Sequence, residues 1–402
     1  MSTQLKNKFA LTVILLMVYP LMGVGIDLYT PSMPAILKYF GTDKSMVKLS
    51  VGIYLFGGLT GSLILGTLSD HIGKKKSFLI SLAIFALGSF FIAISPDINT
   101  FLINRFIEGL GAGGFAAVVK AIMIDNYKGK DLSKITVYAS IAFGLGPTIA
   151  PALGGYIEHY INWKASFVFL LLYSSIIFIM TIFLLHNDTP KHNVKLNINN
   201  TLRVYLKILS NKIFFFVTLT LLISYSIRVI FNVIGPFLIQ DKLGYSPVAF
   251  GNIALLLGLA ALIGSIVNRY LISFLTLKQI IFSGVIIGLL GSLTLLSLGL
   301  FHFLNIYVIV IPIAVILFGE NLYWPHYMAK SLSAVPEYTG AASALSSVML
   351  AIGISSSSTI TSFFNSNSQI PCAVIFTILS IIIFSCFFII FSSKMIKKYK
   401  NH

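Results

Sequence analysis

The sequence predicts an all-α membrane protein of twelve transmembrane helices in two six-helix bundles. Three observations carry this reading. Of 402 residues, 57% are hydrophobic and only 10% are charged, against roughly 25% charged in an ordinary soluble domain. The apolar residues gather into twelve runs, each close to the ~20 residues that a helix needs to cross a bilayer core. The cations are one-sided: of 28 Lys and Arg, about 20 fall on one side of the membrane, and that asymmetry sets orientation.

Six runs lie near 9–31, 45–66, 77–95, 101–125, 135–157 and 164–186. Six more lie near 212–238, 247–268, 279–300, 306–329, 340–363 and 370–392. Lys6 and Lys8 precede the first run, and Lys394, Lys397, Lys398 and Lys400 follow the last. Both termini are therefore expected in the cytoplasm. The first run has the flanks of a signal peptide. It is long, however, and no small-residue cleavage site follows, so it reads as a retained span. Between the halves, residues 187–211 form a polar cytoplasmic linker with Lys191, Lys195, Arg203 and Lys207. Asn197-Ile-Asn-Asn200 reads as surface loop. Leu202, Tyr205, Leu206 and Leu209 have the pattern of a short helix lying on the membrane. The bundles are thus expected over 1–186 and 212–402. Six plus six is the layout of two facing repeats, with a substrate site between them near mid-bilayer.

The net charge of +16 is spread over loops by the membrane rule, so nucleic acid is not an expected partner. Cys372 and Cys386 are separated by about 21 Å of helix, too far to bridge, and carry no metal motif. No Ser/His/Asp arrangement, metal spacing or nucleotide loop is present. The chain is expected to be no enzyme and to need no cofactor. Lacking a phosphate-binding loop, it must draw on an ion gradient.

Between the second and third runs stands Gly66-Thr-Leu-Ser-Asp70-His-Ile-Gly73-Lys-Lys-Lys76. A loop this short makes the two helices antiparallel neighbours. Glycine allows close approach and positive φ. Asp70 is placed near the start of the following helix, where the dipole favours an anion. The positive-inside rule explains the lysines, but not Asp70 and Gly73 at those offsets. The loop resembles the signature loop of the major facilitator superfamily, which makes Gly66, Asp70, Gly73 and Lys74 candidate gating residues. Its counterpart in the second half, Gly264-Ser-Ile-Val-Asn268-Arg269, has lost the acid.

Charges inside a bilayer are costly and functional by default. Asp27 lies toward the outer end of the first run, on one face with Pro20, Gly23 and Pro31. It is either a coupling acid or a helix-end aspartate in the headgroups. Arg105 and Glu108 are neighbours at i and i+3 on the fourth run: a private ion pair, or a titrating site. Arg105-Phe-Ile-Glu108-Gly-Leu-Gly111 resembles the superfamily's fourth-helix motif, with Glu108 where Gln is usual. In the fifth run, Gly146, Pro147, Pro151, Gly154 and Gly155 resemble the fifth-helix motif of the superfamily's antiporters. The bland alternative is small-residue packing.

In the second half, Arg228 is mid-span in the seventh run. Glu320 is mid-span in the tenth, on one face with Tyr323, Trp324 and Tyr327. An acid beside aromatic rings suits a lipophilic cation. An Arg228–Glu320 structural pair is the alternative. Pro325 removes a donor and frees the carbonyl of Asn321. His326 has no evident partner cluster and reads as packing or interfacial. Lys120 reads as a snorkelling lysine.

Asp27-Leu-Tyr-Thr-Pro-Ser-Met-Pro34, the 66–76 loop, the Arg105 motif with Lys120-Ala-Ile and the fifth-run motif together resemble the Bcr/CflA drug-resistance branch of the superfamily. That resemblance implies proton-coupled export from the inner membrane. The expected function is an antiporter that exports small amphipathic compounds or drugs by alternating access. The alternative is a proton-coupled transporter of one native metabolite or siderophore. A sensor or membrane enzyme fits least, because no loop is long enough for an output domain. Tyr19, Asp27, Arg228, Glu320, Tyr323, Trp324 and Tyr327 are the expected cavity residues. Asp27 and Glu108 are expected to compete for Arg105, the acid left over carrying the proton. The partners are a small molecule, protons and the bilayer, and the chain is expected to act as a monomer.

Overall fold

The structure is a computed structural model that describes residues 3–185, 198–364 and 368–392. Lys394 to Lys400 and the first part of the linker, with Lys191 and Lys195, lie outside the described residues. The helices are α1 (Thr3–Asp27), α2 (Met33–Phe40), α3 (Lys44–Ile72), α4 (Lys74–Ala93), α5 (Ile98–Asn126), α6 (Gly129–Tyr160) and α7 (Trp163–Leu184). They continue as α8 (Ile198–Leu209), α9 (Lys212–Pro236), α10 (Pro247–Leu271), α11 (Leu277–Leu300), α12 (Ile306–Ser333), α13 (Thr339–Ser362) and α14 (Ile370–Ile390). Among the described residues, twelve segments are long and apolar enough to span a membrane, and α1 with α2 counts as one of them, Phe9–Phe40.

Side-chain chemistry sets several helix starts. Asp97 accepts from the backbone N–H groups of Asn99 and Thr100, Asn162 from Ala165 and Asn305 from Val308. Thr276 and Gln279 form a reciprocal capping box at α11. Each satisfies donors that the first helical turn leaves without partners.

The helices form two compact units. The first holds α1–α7 together with Tyr245–Asn252; the second holds the rest of the described chain from α8 onward.

Three readings change. The first span does not end near Pro31. After α1 the chain makes a short turn, Thr30–Ser32, and resumes as α2, with Pro31 and Pro34 in first-turn positions where proline fits. Asp27 is therefore a buried residue at a break between α1 and α2. Asp70 does not sit at the start of the following helix. It lies in the last turn of α3, which runs on to Ile72 and stops only where Gly73 takes φ +94°. Finally, Ile198-Asn-Asn200 is the first turn of α8, not loop. Ile208 of that helix is buried, packed with Phe214, Ala334, Ala342 and Leu345, while Leu206 is 56% exposed.

Candidate functional site

In the first unit the chemistry converges on Arg105. Close packing of α3, α4 and α5 brings it about. At Gly109, Gly113 and Gly61 a Cβ would overlap a neighbouring backbone carbonyl, so only glycine lets these helices approach so far. Arg105 is fully buried and forms an ion pair with Glu108, also fully buried. It donates a second hydrogen bond from Nη1 to the Gly25 carbonyl of α1, at 3.3 Å. The other oxygen of Glu108 accepts from Ser89 Oγ at 2.7 Å. Among the described residues, no hydrogen-bond acceptor meets Arg105 Nε and Nη2. The guanidinium carbon instead lies 4.3 Å from the Tyr29 ring centre and 4.2 Å from that of Tyr54. Ring faces are negative and receive a cation well when water is absent. Tyr29 is fixed by a 2.7 Å bond to Ser50.

The intramembrane pair expected at i and i+3 is therefore formed. Glu108, not Asp27, is the carboxylate paired with Arg105. Asp27 is buried close by, and its charge acts on Tyr54, whose ring covers Arg105. Tyr29, Tyr54 and Ser89 were not legible as site residues. Tyr29 lies inside the Asp27–Pro34 stretch singled out above, but its contact with Arg105 is not local, and Tyr54 and Ser89 reach Arg105 and Glu108 from other helices. Tyr19 is buried and donates to Met123 Sδ at 3.7 Å, bridging α1 and α5. Lys48, in the first turns of α3, is a further buried cation that the sequence reading passed over. Lys120 is exposed.

The fifth-span motif packs onto α1. A Cβ at Gly154 would overlap the Leu28 carbonyl oxygen, and one at Gly146 would come 2.5 Å from that of Pro20. Pro147 lies against Gly23. Within the same unit, Gly155 faces Pro247 and Pro151 faces Gly251. On the lysine-rich side, Lys74 pairs with Asp125 of α5, and Lys75 donates to the Ile182 carbonyl of α7 at 2.9 Å. Gly66 rests on Ala117. Asp70 is exposed, and among the described residues no hydrogen bond or ion pair reaches its carboxylate. The loop's electrostatic tie is thus made by its first lysine. On the opposite side, the Asp97 carboxyl is held below the usual aspartate range, chiefly by the Thr100 backbone N–H, with the Thr100 hydroxyl and the Asn99 N–H adding to it.

In the second unit Glu320 is buried and lies 3.6 Å from Arg228, whose side chain is 31% exposed. Tyr323 bonds Ser224 at 2.8 Å and stands 5.7 Å from the Tyr327 ring. Trp324 packs on Tyr225. Among the described residues His326 belongs to no cluster of ligating groups, and its Nε2 lies 2.8 Å from Asn268 Oδ1. A linear reading misses that contact because the two residues belong to different helices. Among the described residues no group of His, Cys, Asp and Glu is arranged to hold a metal ion.

Twelve apolar spans that bury charged side chains within two units define a polytopic α-helical membrane protein. The sequence matches the Major Facilitator Superfamily over residues 15–358, and the chain belongs to that superfamily. It is 27% identical over 382 residues to an uncharacterized transporter of Rickettsia bellii, covering 91% of this chain and 93% of that one. It is 28% identical over 302 residues to the chloramphenicol resistance protein CraA of Acinetobacter baumannii, covering 74% and 72%. To the multidrug resistance protein MdtL of Shewanella oneidensis it is 27% identical over 341 residues, covering 82% of each. Among solved structures, the POT family transporter PepTSo superposes with a TM-score of 0.75 at 13% identity, covering 100% and 99%. The xylose transporter XylE from E. coli gives 0.71 at 12%, covering 96% and 97%. These likenesses show the fold. The relatives are transporters, not enzymes.

Proposed function

We propose that this chain is a proton-coupled antiporter that exports small amphipathic compounds, drugs among them, across the inner membrane by alternating access. The observation that carries the reading is the set of ionisable groups inside the spans, four of the five of them buried. Asp27, Arg105 and Glu108 lie in the first unit, Arg228 and Glu320 in the second. A bilayer protein retains such charges where they do work. The resistance proteins among its relatives support export of drug-like molecules. The lysine-rich side is taken as cytoplasmic, and the chain works as a monomer of two bundles, 1–186 and 212–402.

Asp27 and Glu108 compete for Arg105, and the acid that the guanidinium releases carries the proton. Glu108 is engaged by Arg105 and Ser89, so its exchange with Asp27 for the guanidinium is the coupling step. Glu320, with Tyr323, Trp324 and Tyr327, receives the cationic part of a substrate. Asp70, Gly66, Gly73 and Lys74 gate the cytoplasmic side, and the α6 glycines and prolines seal the path toward α1.

The test is transport in proteoliposomes, with a panel of dyes and metabolites, with and without a pH gradient. A gradient, acid on the substrate-receiving side, should drive amphipathic dyes across. Asp27→Asn should keep measurable substrate binding and lose gradient-driven transport. Proton release on substrate binding that is unchanged in Asp27→Asn overturns its role. Gradient-driven movement of one metabolite alone overturns the multidrug reading.

A further inference from the structure

We propose that Asn268 and His326 are positioning residues for Glu320: they serve the backbone carbonyl that Pro325 leaves open, and so set the course of α12 through the acid. The inference builds on the substrate role proposed for Glu320, although its geometry stands without it.

Pro325 has no N–H to give to the Asn321 carbonyl one turn earlier. Asn321 directly follows Glu320. In a span, a carbonyl without a helical donor must find another within the protein. The donor is Asn268, buried on α10, whose Nδ2 lies 3.3 Å from Asn321 O. A carbonyl only accepts, so the amide nitrogen of Asn268 must face it, and Oδ1 must face the other way. His326 Nε2 lies 2.8 Å from that Oδ1. Since Oδ1 cannot donate, the histidine must. His326 is thereby held with its proton on Nε2, whatever the charge of the ring.

Asn321 is fixed as well. Its Nδ2 donates to Leu317 O at 2.9 Å, and its Oδ1 accepts from Ser265 Oγ at 3.2 Å. Gly264 lets α10 come this near, because a Cβ there would lie 2.6 Å from the Phe318 carbonyl oxygen. Residues 321 and 326 are thus tied to α10 on both sides of the proline, and Glu320 directly precedes the first tie. Glu320 and Arg228 stand 3.6 Å apart, beyond a good hydrogen bond. A small re-aiming of α12 therefore decides whether they close or separate.

The same chemistry accounts for the missing acid in the second repeat. Position 268 is the counterpart of Asp70. An aspartate there would set a carboxylate against the Asn321 carbonyl and leave that carbonyl unserved. Only a side chain with one donor and one acceptor satisfies both neighbours.

Three measurements test this on the full chain in detergent. First, the ¹⁵N shifts of His326 should report an Nε2–H ring; an Nδ1–H ring overturns the proposal without any variant. Second, in a Trp163→Phe background Trp324 is the sole tryptophan and reports the course of α12. Asn268→Leu should shift its emission, and adding Pro325→Ala, which returns an N–H to Asn321 O, should reverse the shift. Third, Asn268→Leu should weaken tetraphenylphosphonium binding about tenfold, the scale of one lost buried hydrogen bond, and chloramphenicol binding less than twofold. Pro325→Ala should restore the former. An emission unmoved by Asn268→Leu, or no rescue by Pro325→Ala, overturns the clamp. If wild type binds no tetraphenylphosphonium, the substrate reading of Glu320 fails, while the ring tautomer and the Trp324 emission still decide the clamp.

Discussion

Replacing Glu108 probes how a full charge is held in the first unit. The Arg105 and Glu108 side chains are both 0% exposed. Glu108→Ala leaves the guanidinium charged, dry and without its carboxylate. Removing one partner of a buried pair costs up to about 3–5 kcal/mol where the surviving charge has no compensation, and here the exchange proposed for Asp27 lowers that cost. The Tyr29 and Tyr54 rings are present before and after, so they do not offset the loss. Glu108→Gln keeps the shape and an acceptor for Ser89. The guanidinium, still charged, keeps an acceptor, while the Ser89 bond goes from a charge-assisted one of about 1.5–3 kcal/mol to a neutral one of about 0.5–1.5 kcal/mol. The loss is about 1–1.5 kcal/mol, near a factor of ten in an equilibrium constant. The assay is reversible unfolding in mixed micelles, followed by helical circular dichroism. The Arg105→Met/Glu108→Leu double variant should be more stable than Glu108→Ala alone, since it removes both charges and refills the space. The reasoning fails if Glu108→Ala is no less stable than Glu108→Gln, or if the double variant is worse than Glu108→Ala.

Three further outcomes are expected. Asp70→Asn should leave thermal stability unchanged, since no bond reaches that carboxylate, yet impair transport if the loop gates; Asp125→Ala, breaking a pair whose acid is 41% exposed, should cost at most about 1 kcal/mol. Glycine substitutions should separate by site: Gly154→Ala drives a Cβ into the Leu28 carbonyl and should cost about 1–3 kcal/mol. By contrast, Gly288→Ala, at a small cavity lined also by Ile227, Val285, Ile316 and Tyr323, meets open space and should gain up to about 1 kcal/mol, both read as shifts in melting temperature. The Asp97 cap should be pH-dependent. Its lowered folded value means that the stabilisation is complete above the unfolded value, about pH 4, and is lost as pH falls through the folded value. Asp97→Asn caps without titrating and should flatten that part of the acid limb; an unchanged limb refutes the assignment.

Much of the architecture was legible in the chain alone. Apolar run length and one-sided lysines are local features, and local features survive into the fold because backbone hydrogen bonds in a bilayer must close within each helix. Even the carbonyl freed by Pro325 follows from covalent structure. Choice of partner does not. Arg105 had two carboxylates to choose from, and only the packing of α4 and α5 decided for Glu108, while Tyr29 and Tyr54 arrived from the first two spans. Asp27 took its depth from the resumption of the helix after Pro31. Asp70 stayed in α3 because nothing before Gly73 breaks a helix. Asn268 met Asn321 and His326 because Gly264 lets two distant stretches of chain touch. Sequence spacing orders residues along one helix, but which helices lie side by side, and how near, is settled by tertiary packing.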